Sequence, residues 1–221
     1  MTLDHKAGII LCGGLSKRMG RAKATLPFGD ELMLPRVARL LIPVVDHLVV
    51  VAAANQELPA LPRDVTVVRD RHAGHGPLEG LAAGLTALDD KTAAAFATSC
   101  DVPLLVPAFV RRMFELLEDH EIAVPYDGKF HHPLAAVYRR SVLEHVQYLL
   151  DEGRLRPFFL FEKAKTRLVT PEEWHDVDPQ SMSLANLNRP DDYLRALAAA
   201  GLDVDPEIAR KLSGSSSPGD D

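Results

Sequence analysis

Leu11-Cys12-Gly13-Gly14-Leu15-Ser16-Lys17-Arg18-Met19-Gly20-Arg21-Ala22-Lys23 is the stretch on which the reading of the fold turns. It follows a short apolar run, Ala7-Gly8-Ile9-Ile10, with the character of a buried strand. It precedes Leu32–Leu41, whose apolar positions recur at helical spacing. The order is strand, glycine-rich loop, helix. Gly13, Gly14 and Gly20 lack a Cβ, so the loop can adopt positive φ and turn several backbone N–H groups toward one point, where an anion is favoured. Lys17, Arg18, Arg21 and Lys23 add cationic side chains, and a triphosphate is the commonest ligand able to use that many donors. The stretch reads as a nucleotide-phosphate cradle, although a tight turn rimmed by solvated basic residues uses the same residue types.

Spacing narrows which cradle it is. The P-loop pattern GxxxxGK[ST] needs Lys directly after its second glycine, whereas Arg21 follows Gly20 here. The dinucleotide fingerprint GxGxxG also fails, because Gly13 and Gly14 are adjacent.

Outward from the loop, strand-like and helix-like segments alternate. Leu48–Val51, Val65–Val68 and Ala93–Thr98 read as strands, and Gly76–Leu88 and Pro107–Asp119 as helices. Ile122–Pro125 and His132–Tyr138 read as further strands, Arg140–Leu150 as a helix, Arg156–Lys165 as a short helix and Arg167–Val169 as an edge strand. Pro171–Met182 is irregular, and Asp191–Ala199 is helical with Pro190 and two acids at its start. Such alternation implies crossover connections and an α/β fold: a Rossmann-like, three-layer αβα sandwich around a mostly parallel sheet. Ligands bind such sheets beyond the carboxyl ends of the strands, so the glycine-rich loop and Asp101 are expected on one edge.

The chain has 221 residues, 47% hydrophobic and 25% charged, which fits one soluble α/β domain. Residues 1–200 are expected to form a single domain. Residues 201–221 are expected to be a partly disordered tail, because Ser213–Asp221 is rich in Gly, Ser, Pro and Asp. A formal net charge of −6 argues against a nucleic-acid partner, which would demand a basic face. No apolar run reaches membrane-spanning length and no signal-peptide pattern is present, so a cytoplasmic location is expected. The only cysteines, Cys12 and Cys100, read as small buried hydrophobes at strand ends.

GGLSKRMGRAK resembles the signature GGxSxRMGxxK of the molybdenum cofactor guanylyltransferase family of nucleotidyltransferases. Further similar segments follow in order: Arg69-Asp70, Gly76-Pro77-Leu78-Glu79-Gly80-Leu81, Cys100-Asp101-Val102-Pro103-Leu104, His132-Pro133-Leu134 and Asn186-Leu187-Asn188-Arg189-Pro190-Asp191-Asp192. The resemblance spans about Lys6 to Leu197. It implies a fold of the nucleotide-diphospho-sugar transferase type and transfer of GMP from GTP to the molybdopterin-bound molybdenum cofactor, with release of pyrophosphate.

Such a transfer brings an anionic phosphate nucleophile to an anionic phosphorus, so cations and backbone dipoles should dominate and no general base is demanded. Asp101, at a strand end before Val102-Pro103, suits Mg²⁺, which prefers carboxylate and phosphate oxygens; a helix cap is the competing structural role. The resemblance implies that Arg18 and Lys23 contact the β- and γ-phosphates, making Arg18, Lys23 and Asp101 the catalytic set. It implies nucleotide contacts from Leu11, Cys12, Gly13, Gly14, Lys23, Asp70, Gly76, Pro77 and Asp101. Asn188 resembles a late polar residue that completes the metal shell, but Asn before Pro-Asp-Asp is also a turn former. His132 and Pro133 are expected at the acceptor pocket. Adjacent histidines point to opposite faces of a strand, so at most one of His131 and His132 is expected to face the site.

The double glycine of Cys12-Gly13-Gly14 and the Gly76–Gly80 segment favour guanylyl over cytidylyl transfer. Ala52 departs from the guanylyl pattern, which often carries Asn there. Alternatives are a cytidylyltransferase of the same family, acting on molybdopterin or a sugar or polyol phosphate, and a non-catalytic nucleotide-binding module. Proteins that deliver the cofactor or receive the product are expected partners.

Overall fold

The continuous apolar runs become the middle of a seven-stranded sheet. The computed structural model describes residues 5–12, 15–16, 21–70 and 76–205. Its sheet comprises β1 (Lys6–Leu11), β2 (His47–Ala52), β3 (Val65–Arg69), β4 (Ala94–Ser99), β5 (Ile122–Pro125), β6 (Ala135–Arg139) and β7 (Thr166–Val169). The spatial order is β7-β5-β6-β4-β1-β2-β3. β1 pairs in parallel with β2 and β4, as do β2 with β3 and β5 with β7; β6 alone runs antiparallel to its neighbours. β1, β2 and β4 are covered on both faces, which is why their sequences show no polar alternation. At the two edges Val67 and Leu168 are exposed.

Helices α1 (Met33–Leu41), α2 (Gly76–Thr86), α3 (Pro107–Glu115), α4 (Leu143–Asp151), α5 (Phe158–Lys163) and α6 (Pro190–Ala199) complete the layers. One core cluster joins Ile10, Val50 and Phe96 to Leu34, Val37 and Leu41 of α1 and to Phe109 and Met113 of α3. A second, on the opposite face, joins Ile9, Val49 and Tyr138 to Leu81 and Leu85 of α2 and to Val146 and Leu149 of α4. Alternate residues of one strand therefore feed opposite layers. The small residues of α2 let it lie close to β1: a Cβ at Gly84 would sit 2.5 Å from Ile9 Cγ2, so only glycine fits there.

Several boundaries depart from the sequence reading, each for a local reason. The helix expected over Pro107–Asp119 stops at Glu115, and Glu118 takes φ 45°, which no α-helix continues. The strand expected from His132 begins only at Ala135. Pro133 has no N–H to give a ladder, and the His132 carbonyl accepts the Ala135 N–H at 3.0 Å, closing a turn instead. Arg140–Leu150 opens as a 3₁₀ turn, Arg140–Val142, before α4. Pro171–Met182 is irregular as expected, yet it contributes Trp174 to the core, 1% exposed and edge-on to Phe109 with ring centroids 5.9 Å apart.

A third, smaller cluster lies where the chain leaves the glycine-rich loop. A two-residue hairpin pairs Pro27-Phe28 with Glu31-Leu32, and Phe28 meets Tyr193 of α6 edge to face at 6.3 Å. Tyr193 Oη donates to the Pro27 carbonyl at 2.6 Å. Leu202 and Val204 pack against this cluster, so side-chain packing continues beyond residue 200. The remainder of the tail, 206–221, lies outside the described residues.

Candidate active site

The carboxyl ends of β1 and β4 are neighbours in the sheet, with Leu11 opposite Ser99. The next residues, Cys12 and Cys100, are both buried free thiols, as expected of small apolar fillers. A hydrogen bond with Cys100, burial and the nearby Asp101 carboxylate push the Cys12 thiol well above its usual range. Asp101 follows at once, so the end of the central parallel pair is also the position of the carboxylate.

Three of the residues singled out from sequence converge here. The Lys23 Nζ, on the 3₁₀ turn Lys23–Thr25, forms an ion pair with Asp101 Oδ2. The same ammonium donates to Asn188 Oδ1 at 2.9 Å. Asp101 is not on an open sheet edge: it is only 6% exposed, and Ser99 Oγ donates to its second oxygen, Oδ1. Its carbonyl accepts the Leu187 N–H at 3.0 Å, which fixes the approach of the Asn188 segment.

Asn188 is held from its own side as well. Asp192 Oδ2 accepts the Asn188 N–H at 3.1 Å and the Arg189 N–H at 2.9 Å, closing the start of α6 as a cap. Ser99 and Asp192 are functional neighbours the sequence reading missed. Ser99 was detectable, because residues two apart at a strand end share a face. Asp192 was visible as one of two acids at a helix start, without a sign that it braces Asn188.

Of the other expected nucleotide contacts, the described ones end or follow β1, follow β3 or open α2. Leu11 ends β1 and is 7% exposed. Asp70 directly follows β3, and its N–H donates to the Ala52 carbonyl at 2.8 Å. Gly76 has φ +74° and, with Pro77, forms the exposed start of α2. Gly13, Gly14 and Arg18 lie outside the described residues. Ala52 is buried in the cluster beneath α1 and α3. The polar groups after β2 come from further along: Gln56 Nε2 donates to the Cys12 carbonyl at 3.0 Å, and Arg69 Nη1 donates to the carbonyls of Ala53 and Gln56. Gln56 is a further residue the sequence reading missed, since nothing in its local pattern points back to Cys12.

Beside Asn188 a cavity of 630 Å³ opens between the Met182–Asn188 segment and α6, and His132 forms part of its wall. His131 instead packs among Tyr126, Phe158 and Phe161, so the two histidines do part company. Pro133 supports the turn, its carbonyl accepting the Tyr138 hydroxyl at 2.8 Å. His132 Nε2 lies 2.9 Å from Asp127 Oδ2. The backbone N–H of Phe130, then His132 and the N–H of Lys129, hold the Asp127 carboxyl down at about 2.

A depressed carboxyl pKa stabilises the fold above its unfolded value, near 3.8, and that contribution is lost as the pH falls toward 2. Asp127 is therefore expected to brace His132 as a full carboxylate throughout the neutral range. Carboxyl-carbon NMR should place its midpoint near 2, and a midpoint near 4 would contradict the bracing.

An oxygen from a carboxylate and one from an amide already converge on a single ammonium, so Asp101 and Asn188 define one cation position built from hard donors. That set fits Mg²⁺ or Mn²⁺. Glu118, Asp119 and His120 also bring three donors together, with both carboxylates exposed and paired to Arg167 and Lys165, but they lie outside the segments that carry the family resemblance. Among the described residues no helix is long and apolar enough to cross a membrane.

The fold resembles solved nucleotidyltransferases. Molybdopterin-guanine dinucleotide biosynthesis protein A from Archaeoglobus fulgidus superposes with a TM-score of 0.73 at 19% identity, covering 89% of this chain and 98% of that one. The 2-C-methyl-D-erythritol 4-phosphate cytidylyltransferase from Thermus thermophilus gives 0.67 at 15%, over 90% of this chain and all of that one. Sequence likeness is more selective. The "Probable molybdenum cofactor guanylyltransferase" of Mycolicibacterium paratuberculosis is 37% identical over 199 residues, 88% of this chain and 95% of that protein. The "Molybdenum cofactor guanylyltransferase" of Desulfosudis oleivorans is 32% identical over 199 residues, 89% of this chain and 96% of that protein. The family described as MobA-like NTP transferase domain matches residues 8–166, which include most of β1, the glycine-rich loop, Lys23 and Asp101. With that match, those relatives and this sheet, the chain belongs to the MobA-like NTP transferase family of nucleotidyltransferases.

Proposed function

We propose that the protein transfers GMP from GTP to the phosphate of the molybdopterin-bound molybdenum cofactor, releasing pyrophosphate, with residues 1–200 acting as one cytoplasmic nucleotidyltransferase domain. The observation that carries this reading is the meeting of Lys23, Asp101 and Asn188 beside a cavity, in a chain 37% identical to a protein named for that activity.

An acceptor phosphate oxygen attacks the α-phosphorus of GTP, the bond to the bridging α–β oxygen breaks, and pyrophosphate leaves with that oxygen's electron pair. The acceptor is already ionised near neutral pH, so the protein's task is to place it and to offset charge. Lys23, with Arg18 from the glycine-rich loop, neutralises the β- and γ-phosphates and then the departing pyrophosphate. Leu11, Cys12, Gly13, Gly14, Asp70, Gly76 and Pro77 seat the nucleoside and its phosphates. Asp101 and Asn188 would hold Mg²⁺, which when bound offsets triphosphate charge and polarises the α-phosphorus. His132, braced by Asp127, and Pro133 border the acceptor in the cavity beside Asn188. The proteins that hand over the molybdenum cofactor and take the dinucleotide would dock around that opening.

The test is pyrophosphate release and dinucleotide formation by the purified protein given Mg²⁺, molybdenum cofactor and each of GTP, CTP, UTP and ATP. GTP alone is expected to yield product. Product from CTP would make this a cytidylyltransferase, consistent with the buried Ala52, and tight GTP binding without pyrophosphate would make it a binding module.

A further inference from the structure

Lys23 has a single ammonium, and the proposed chemistry asks it to lie on phosphate oxygens. In the structure it lies on Asp101 Oδ2 and Asn188 Oδ1. Those are the oxygens that the proposed function assigns to the divalent cation. Ser99 holds Oδ1 of Asp101, so Oδ2 is the oxygen of that carboxylate presented to Lys23. The contacts bridge three remote parts of the chain: the turn after the glycine-rich loop, the end of β4 and the start of α6. Lys23 is 19% exposed and Asp101 8% at the side chain, so solvent screens the pair only in part. An ammonium and a divalent cation on the same two oxygens would stand within a few ångströms of each other, where like charges repel strongly. The two are alternative occupants of one position.

We propose that Lys23, before it meets the phosphates, holds Asp101 and Asn188 together and releases them to the divalent cation only when a nucleotide triphosphate supplies new anionic oxygens for its ammonium. This rests on the assignment of Asp101 and Asn188 as metal ligands. Metal alone must displace Lys23 without offering it another anion, so it binds poorly. Metal with nucleotide leaves Lys23 paired, so each raises the other's affinity, and the coupling is reciprocal. The flexible four-carbon stem and compact charge of lysine suit such an exchange; a guanidinium, with its planar fork, would be harder to move.

The test titrates the full chain with Mn²⁺, read by the electron paramagnetic resonance of the free ion. Calorimetry then measures the affinity for an α,β-methylene GTP analogue with and without Mn²⁺. Lys23→Met is expected to bind Mn²⁺ alone about tenfold more tightly than the native protein, from removal of the competing charge, and to lose most of the Mn²⁺-dependent gain in analogue affinity. Lys23→Arg, which keeps the charge, should show no tighter Mn²⁺ binding. In the double variant Lys23→Met/Asp101→Asn the tighter binding of Mn²⁺ alone should vanish, which locates the ion on Asp101. Melting curves on each variant confirm that it is folded.

Unchanged Mn²⁺ affinity in folded Lys23→Met would overturn the proposal, as would tighter Mn²⁺ binding that survives the added Asp101→Asn. Because the readout is binding, the outcomes separate from those of the proposed activity. The Mn²⁺ pattern without guanylyl transfer would sink the activity and keep the exchange, and transfer without the pattern would do the reverse.

Discussion

Asp101→Asn is expected to lower turnover by about 10²–10³, the loss typical of removing one preorganised charge-stabilising group. The substitution keeps the shape of the side chain and an oxygen for the Ser99 hydroxyl, but removes the charge that Lys23 meets. It also sets an amide donor against the Lys23 ammonium. If Asp101 were only a cap for the segment after Pro103, Asn would serve nearly as well, since both residues cap effectively. The comparison therefore separates a chemical role from a structural one. Turnover should be measured at saturating GTP and acceptor on protein whose melting transition remains cooperative. Activity within about threefold of native would remove Asp101 from the catalytic set. Asp101→Ala should lose at least as much turnover and more stability, because it strands the Ser99 hydroxyl and leaves the partly buried ammonium with only the Asn188 amide oxygen.

Trp174→Ala is expected to cause the largest loss of stability from a single side chain outside the site. Trp174 comes from the irregular Pro171–Met182 segment, yet it is 1% exposed. It meets Phe109 edge-on and donates its indole N–H to Ser181 Oγ at 3.1 Å. Removing a buried aromatic of this size costs about 3–5 kcal/mol, and in a chain of this length each kcal/mol moves Tm by roughly 2–4 °C. A fall of roughly 6–20 °C is expected by circular dichroism, used because Trp174 is the only tryptophan. Turnover well below the transition should persist, since the indole packs in the layer of α3, against Phe109 and Ser181. A Tm shift of less than about 2 °C would mean that the segment does not complete the core.

The central strands and the helices flanking them were legible because burial on both faces leaves continuous apolar runs such as Leu48–Val51, and α1 and α3 carry their apolar residues at helical spacing. The ends of elements were less so. Whether a helix stops at Glu115 or Asp119 depends on one backbone turn at Glu118, which local composition does not encode. Trp174 could not be assigned to the core from its neighbours, because Glu172, Glu173, His175 and Asp176 form no apolar pattern around it. In the site, Lys23, Asp101, Asn188 and His132 were recognisable from motif segments. Ser99 was detectable only from its place two residues before Asp101 on β4, and Asp192, Gln56 and Asp127 were not singled out, since each acts by a hydrogen bond to another residue that its own neighbours in sequence do not announce.

The sequence by itself determined the alternation of strands and helices, the cationic glycine-rich loop and the carboxylate at a strand end, because these are local consequences of periodicity and residue chemistry. Only the tertiary structure decided that residues 23, 101 and 188 share one cation position, that Asp101 is buried rather than open, and that His132 and Asn188 border the same cavity. The physical reason is that such proximity is set by the register of β1 against β4 and by the docking of α6 on the Phe28 hairpin. Both are long-range packing outcomes that no single stretch of the chain carries.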